Sequence, residues 1–271
     1  MTAFLERTLT TVALCWRLER RDGVALGFTA HDRDLAIDGL LYRAAPGMLP
    51  SAIGLSDGFE AESLDVEGAL SDAAISAADL RAGRWDGAAV AVFMVDWEAP
   101  EGERFAVARG ELGEVSTKGD AFEAELRGPT ALLDAPAVEQ TSPECRASLG
   151  DKRCRVDMAA RTLITRIAAV ADEVTVAVAE AAPGNAYAGG ALRWLGGANS
   201  GLASLVLASA DGVLTLAEPP PFAAAAGDLV ELREGCDKSL ATCAGRFGNA
   251  ANFRGEPHLP GFDLLTRYPG A

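Results

Sequence analysis

Short stretches of alternating side chains, each closed off by a turn dipeptide, recur along this chain and leave little room for long helices. Val12, Leu14, Trp16 and Leu18 alternate with Ala13, Cys15, Arg17 and Glu19, the period of a half-buried strand whose successive side chains point to opposite faces. Asp22-Gly23 supplies a hairpin turn, after which Val24, Leu26 and Phe28 resume the alternation. Asp38-Gly39 marks a second turn ahead of Leu40-Leu41-Tyr42. Residues 88–97 read as a buried strand, and 111–117 with 121–127 as a hairpin about Lys118-Gly119-Asp120. Helices are few and short. One covers 76–82, where Ser76 and Asp79 suit a capping box and Gly83 a stop; another follows Pro129 through Leu133.

The composition shifts near 135–143 (Ala-Pro-Ala-Val-Glu-Gln-Thr-Ser-Pro), which divides the chain into a first domain over 1–138 and a second over 139–271. In the second, strands are expected at 162–170 and 173–179 around an Ala-Asp turn, then at 191–195, 203–208, 212–217 and 228–233. Gly and Pro pairs punctuate them. From Glu234 onward strand runs give out, and a Pro257-His258-Leu259-Pro260-Gly261 stretch replaces them. Such a segment holds its shape poorly without a staple. Short strands separated by turns define a mainly β protein, a barrel or sandwich with short helices. At 271 residues, 49% of them hydrophobic, the chain can bury a sizeable core, and with only 6% aromatics that core is packed largely by Ala, Val and Leu.

The net charge is −15, which argues against a surface that grips phosphate backbones. Residues 1–143 carry 12 basic against 25 acidic side chains, and the remainder 12 against 14. The acidic half is open to two readings: a solvated surface that favours solubility, or a wall facing something that must not adhere, such as DNA in a channel. No run of 18 apolar residues exists to insert in a membrane. The first residues lack the basic and apolar regions of a signal peptide, so the chain is expected in the cytoplasm until exported by other means. In that reducing compartment its five cysteines suit metal ligands or buried packing better than disulfides.

Four of the five fall in two pairs, Cys145 with Cys154 and Cys236 with Cys243, in Gly-containing segments at 144–155 and 235–261. Basic residues flank both: Arg146, Lys152, Arg153 and Arg155 around the first, Lys238 and Arg246 around the second. Cations of this kind stabilise thiolates and offset the charge of a cluster or metal tetrathiolate. The spacing alone leaves alternatives open. Gaps of eight and six residues suit neither the short knuckles of structural zinc nor the familiar ferredoxin patterns, so the four stand as ligands, as buried apolar residues or as disulfide partners. Cys15 falls on the less apolar face of its strand and reads as a packing residue. His31, within Phe28-Thr29-Ala30-His31-Asp32-Arg33-Asp34, reads as part of a polar turn held by side-chain hydrogen bonds. His258 reads as a surface or packing residue. A cysteine hydrolase would need Cys15 or another thiol beside His31 or His258. No phosphate-binding, nucleophile-elbow or zinc-protease motif occurs, and no catalytic residue is assigned.

Several segments carry a resemblance. Leu14-Cys15-Trp16-Arg17-Leu18, Gly27-Phe28-Thr29, His31-Asp32, Glu67-Gly68-Ala69-Leu70-Ser71-Asp72 and Arg109-Gly110-Glu111-Leu112-Gly113 mark the first half. Ser142-Pro143-Glu144-Cys145-Arg146, Leu149-Gly150-Asp151, Cys154, Gly235-Cys236-Asp237-Lys238, Cys243, Phe247 and Asn252-Phe253-Arg254-Gly255 mark the second. On these the chain resembles the tail-tip hub proteins of prophages and gene transfer agents and, more distantly, is similar to the minor tail protein L of lambda-like phages. The resemblance implies a structural virion component, not an enzyme. It would form a homotrimer, a ring between the distal tail protein and a central tip or fibre protein, near the tail tube or tape measure. DNA would pass through the lumen without specific binding. The resemblance also implies an iron–sulfur cluster, [4Fe–4S], on Cys145, Cys154, Cys236 and Cys243, placed in the host cytoplasm before release. Lambda-type proteins keep their cysteine pairs closer together; here a β-rich stretch lies between them. A zinc-stabilised structural or adaptor protein is the alternative.

Overall fold

A computed structural model describes residues 3–6, 8, 10–44, 49–50, 63–69, 75–118, 121–128, 138–182 and 184–259. The chain forms two compact units, Met1–Ala137 and Val138–Ala271.

In the first unit the strands are β1 (Val12–Glu19), β2 (Ala25–Thr29), β3 (Leu35–Ile37), β4 (Leu40–Ala44), β5 (Leu49–Pro50), β6 (Ser63–Ala69), β7 (Ala89–Asp96), β8 (Arg104–Lys118) and β9 (Ala121–Arg127). They form one nine-stranded sheet in the order β3-β4-β2-β1-β7-β8-β9-β6-β5. All pairs are antiparallel except β2 with β4. Asp38 and Gly39 both have positive φ, which the tight β3–β4 hairpin requires of its two central residues. The long β8 pairs with β7 through its first half and with β9 through its second, with a register shift in each pairing. Such bulges bend a strand.

β1 departs from the expected half-buried pattern. Trp16 and Leu18 lie in a core with Phe28, Leu80, Trp85, Val90 and Val92, while Ala13 and Cys15 lie in another with Ile37, Tyr42, Phe93 and Val95. Cys15 is fully buried because β3 and β4 cover the face that reads as less apolar in the sequence. The helix α1 (Ala77–Arg81) starts where the sequence places it. Asp79 N–H donates to Ser76 Oγ (3.0 Å), and that hydroxyl donates to the Asp79 carboxylate (2.9 Å), a local variant of the capping box. Gly83, with positive φ, ends it. The helix expected after Pro129 lies outside the described residues, as do the turn residues Gly119 and Asp120.

In the second unit β10 (Thr162–Val170), β11 (Thr175–Val178), β12 (Gly190–Trp194), β13 (Ala203–Ala210), β14 (Val213–Leu216) and β15 (Leu229–Arg233) close a six-stranded barrel in the order β10-β11-β14-β13-β12-β15. Closure removes the unpaired edges an open sheet presents. Alternate residues point inward: Ile167, Val176, Leu192, Trp194, Val206, Leu214, Leu216, Val230 and Leu232 are almost wholly buried. β11 starts two residues later than expected because the Asp172 carboxylate accepts the N–H groups of Val174 and Thr175 and draws them into the turn.

The seam of this barrel positions the segments on either side of it. Its first and last strands pair antiparallel, with Thr162 opposite Arg233. The chain entering β10 and the chain leaving β15 therefore meet at one end of the barrel.

A four-cysteine site at the barrel seam

The two cysteine segments are the chain on either side of that seam. Eighty-one residues separate Cys154 from Cys236, and the barrel returns them to one place. The Cys243 thiol is pushed up first by burial and then by the charges of Cys145, Cys154 and Cys236, which puts Cys243 within electrostatic reach of the other three. All four thiols are free; Cys154 and Cys243 are buried, and Cys145 and Cys236 half-buried.

Each pair is presented by a turn folded around an aspartate. Asp151 accepts the N–H groups of Ser148 (2.8 Å), Arg153 (2.8 Å) and Cys154 (2.6 Å); the Cys154 N–H leads in lowering its carboxyl. In the second segment Asp237 accepts the Ser239 N–H (2.9 Å) and the Thr242 hydroxyl (2.7 Å), which hold its carboxyl low with the hydroxyl foremost. Ser239 in turn caps α2 (Leu240–Gly245), accepting the Thr242 N–H, and the helix carries Cys243. Arg155 and Lys238, beside the cysteines, both have positive φ, a backbone state that costs a non-glycine residue about 1 kcal/mol or more.

A clasp joins the two segments. The Cys145 N–H donates to Lys238 O (2.9 Å) and Lys238 Nζ to Ala147 O (2.6 Å). Arg146 N–H donates to Arg254 O and Glu256 N–H to Ser142 O, a short ribbon closed by a bidentate Arg146–Glu256 pair at 2.6 and 2.9 Å. That pair holds the Glu256 carboxyl down to about 2, with the Arg146 bond the largest cause. Gly255 fits because a Cβ there would stand 2.5 Å from Glu144 O. Arg161 and Arg246 both lie against the Phe247 ring, at 4.8 and 4.9 Å from its centroid, and share the Glu234 carboxylate.

N–H groups also reach two of the sulfurs. The Arg254 backbone N–H donates to Cys145 Sγ (3.4 Å), and Asn249 Nδ2 stands 3.7 Å from Cys154 Sγ while donating to Cys154 O at 2.6 Å. Asp151 and Asp237 enter the sequence reading only as parts of the segments that carry the resemblance, and Asn249 does not enter it at all. Each of the two aspartates accepts the N–H two residues on, of Arg153 and of Ser239, a local turn that Asp side chains favour. Among the described residues no group of three or more His, Cys, Asp or Glu is arranged to hold a metal ion.

The other candidates lie elsewhere. The Cys15 thiol donates to Thr29 Oγ1 (3.5 Å), and burial pushes it up. His31 Nδ1 accepts the Arg33 N–H (3.1 Å), the His31 N–H donates to Thr29 Oγ1, and the ring stacks obliquely on Trp97; it holds a turn. His258 is exposed. None of the hydrogen bonds of Cys15 or His31 joins the two residues. No helix among the described residues is long and apolar enough to cross a membrane.

Comparison with known proteins gives the class of a chain built from an open sheet followed by a closed barrel. Residues 1–157 match the family model described as baseplate hub protein, N-terminal attachment domain. The chain belongs to that family of structural proteins of phage-like particles. Residues 185–263 match a second model, the phage conserved hypothetical protein BR0599, so each model carries one cysteine pair. A solved chain from the virion of a native gene transfer agent particle is similar at 40% identity, with 99% of this chain and 94% of that chain covered and a TM-score of 0.85. No curated protein matches.

Proposed function

We propose that this baseplate hub protein, part of the tail tip of a phage-like virion, holds an iron–sulfur cluster, [4Fe–4S], on Cys145, Cys154, Cys236 and Cys243. One observation carries the reading: the barrel seam brings together the two segments that carry four free thiols, joined by the Cys145 N–H to Lys238 O and the Asn249 Nδ2 to Cys154 O hydrogen bonds. N–H donors on two sulfurs and cations on both flanking segments suit an anionic thiolate group. Bound there, the cluster would supply a covalent cross-link between the entering and leaving chain. The protein's own residues do the remaining work: Asp151 and Asp237 shape the presenting turns, and Arg146 with Glu256 closes the ribbon.

The same reading extends to assembly. Three copies form a ring between a distal tail protein and a central tip protein, and the acidic first half of the chain faces the DNA path, where like charge discourages adhesion. No chemistry is assigned to the hub beyond this. Protein purified without oxygen is expected to be coloured and to contain iron with acid-labile sulfide, both lost on Cys145→Ser. A colourless protein holding zinc alone would replace the cluster with a zinc staple. Sedimentation of the purified hub tests the ring: a threefold mass supports it and a monomer at assembly concentrations contradicts it.

A further inference from the structure

Asn249 touches both cysteine pairs. Its backbone N–H donates to Cys243 O (2.9 Å), and its side-chain Nδ2 donates to Cys154 O (2.6 Å), 95 residues away, and reaches Cys154 Sγ. The orientation of the amide is fixed, because its Oδ1 accepts from Asn252 Nδ2 at 2.7 Å. Gly248, with positive φ and its N–H bonded to Ala244 O, turns the chain off the end of α2 and delivers Asn249 to this position. One residue therefore reads the main chain of a cysteine from each pair and offers a proton to one of the sulfurs.

We propose that Asn249 is a positioning residue: it sets the register of Cys154 against Cys243, and its side-chain N–H orients the Cys154 sulfur as a ligand. The first part concerns the protein alone; the second rests on the four-thiol ligand reading above. Hydrogen-bond partners one step removed from a metal's ligands typically change affinity by about 10- to 100-fold when removed. Asn249→Asp keeps the size of the side chain and replaces the donor with an acceptor. Asn252→Ala leaves Asn249 in place and frees its amide to rotate.

The test uses the full-length chain in two states. In the metal-free protein, alkylation of each cysteine is followed by mass spectrometry. Compared at the plateau of each pH–rate profile, where the thiol is fully ionised and the rate reads access alone, Cys154 is expected to react faster in Asn249→Asp than in the parent, with Asn252→Ala between them and Cys15 unchanged as the internal measure of an intact fold. In the iron- and sulfide-loaded protein, chelator-driven release should quicken in the same order, and the midpoint potential should fall as the N–H donor is lost. Unchanged Cys154 reactivity in both variants would overturn the proposal. If the parent takes up no iron or sulfide while Cys154 is still exposed by the substitutions, the register role stands and the cluster reading falls. If the parent loads normally and the variants release iron as slowly as it does, the cluster reading stands and Asn249 has no part in it.

Discussion

The two units of this chain enclose their cores, centred not on the small side chains the composition suggests but on Trp16 and Trp85 in the first and Trp194 in the second, by opposite means. The first leaves its sheet open and covers it on both faces, so that β1 is buried on both sides and Trp16 and Cys15 belong to separate cores. The second closes its sheet on itself and needs only one interior. Closure has a by-product that the open sheet lacks: the chain entering β10 and the chain leaving β15 meet at the seam, and they bring the two cysteine segments with them. The first unit buries its one cysteine as a small apolar residue; the second gathers four. What distinguishes a packing thiol from a candidate ligand here is strand topology.

Removing a buried ring should break each unit by its own route, and this is the largest effect expected. Trp16→Ala and Trp194→Ala should each cost about 3–5 kcal/mol, the first in the unfolding transition of the open sheet and the second in that of the barrel, resolved by limited proteolysis against denaturant. The conservative pair sharpens the contrast. Trp194 Nε1 donates to Ser204 Oγ (3.1 Å), whereas the indole nitrogens of Trp16 and Trp85 have no partner among the described residues. Trp194→Phe should therefore cost more than Trp16→Phe by about 1 kcal/mol, as measured by denaturant midpoints.

Gly235 tests the seam itself. A Cβ at this position would run into Ala188 O and the Gly190 amide, so Gly235→Ala should destabilise the second unit by about 1–3 kcal/mol and lower metal uptake, while leaving the first unit's transition in place. Ser76→Ala, which removes the cap of α1, should cost the first unit about 1 kcal/mol. The smallest effect belongs to acid. Glu256 stays ionised in the folded protein down to about 2, against 4.5 ordinarily. The Arg146–Glu256 clasp therefore contributes fully above about pH 4.5, and its contribution fades as pH falls toward 2. Hydrogen exchange at Arg146 and Glu256 should rise across that window, and Glu256→Gln should abolish the dependence.

How much of this was legible in the sequence follows the range of each interaction. The β3–β4 hairpin was visible in Asp38-Gly39 and the start of α1 in Ser76 and Asp79, because both are decided within four residues. The barrel strands were visible as alternation, although Asp172 took two residues from the start of β11 through bonds that the pattern does not show. β6, with acids at every second position, did not read as a strand, and β8 was read only from residue 111 although it starts at Arg104; sheet neighbours, not local pattern, keep these extended. α2 lay hidden in a segment that reads as loop, its cap Ser239 the one available sign. The pairing of β10 with β15 and the placing of Asn249 against Cys154 are contacts across some seventy to a hundred residues, and no window of the sequence contains both partners. The four cysteines stood out through their flanking residues and family resemblance; their convergence rests on the seam.

The most direct test of that convergence is iron and sulfide stoichiometry in two single variants, Cys154→Ser from the first pair and Cys243→Ser from the second, purified and loaded without oxygen. One shared site predicts that either substitution alone removes nearly all of the iron and sulfide bound by the parent. Retention of about half in each variant would mean two independent sites, one per pair, and would contradict a seam built to hold a single group.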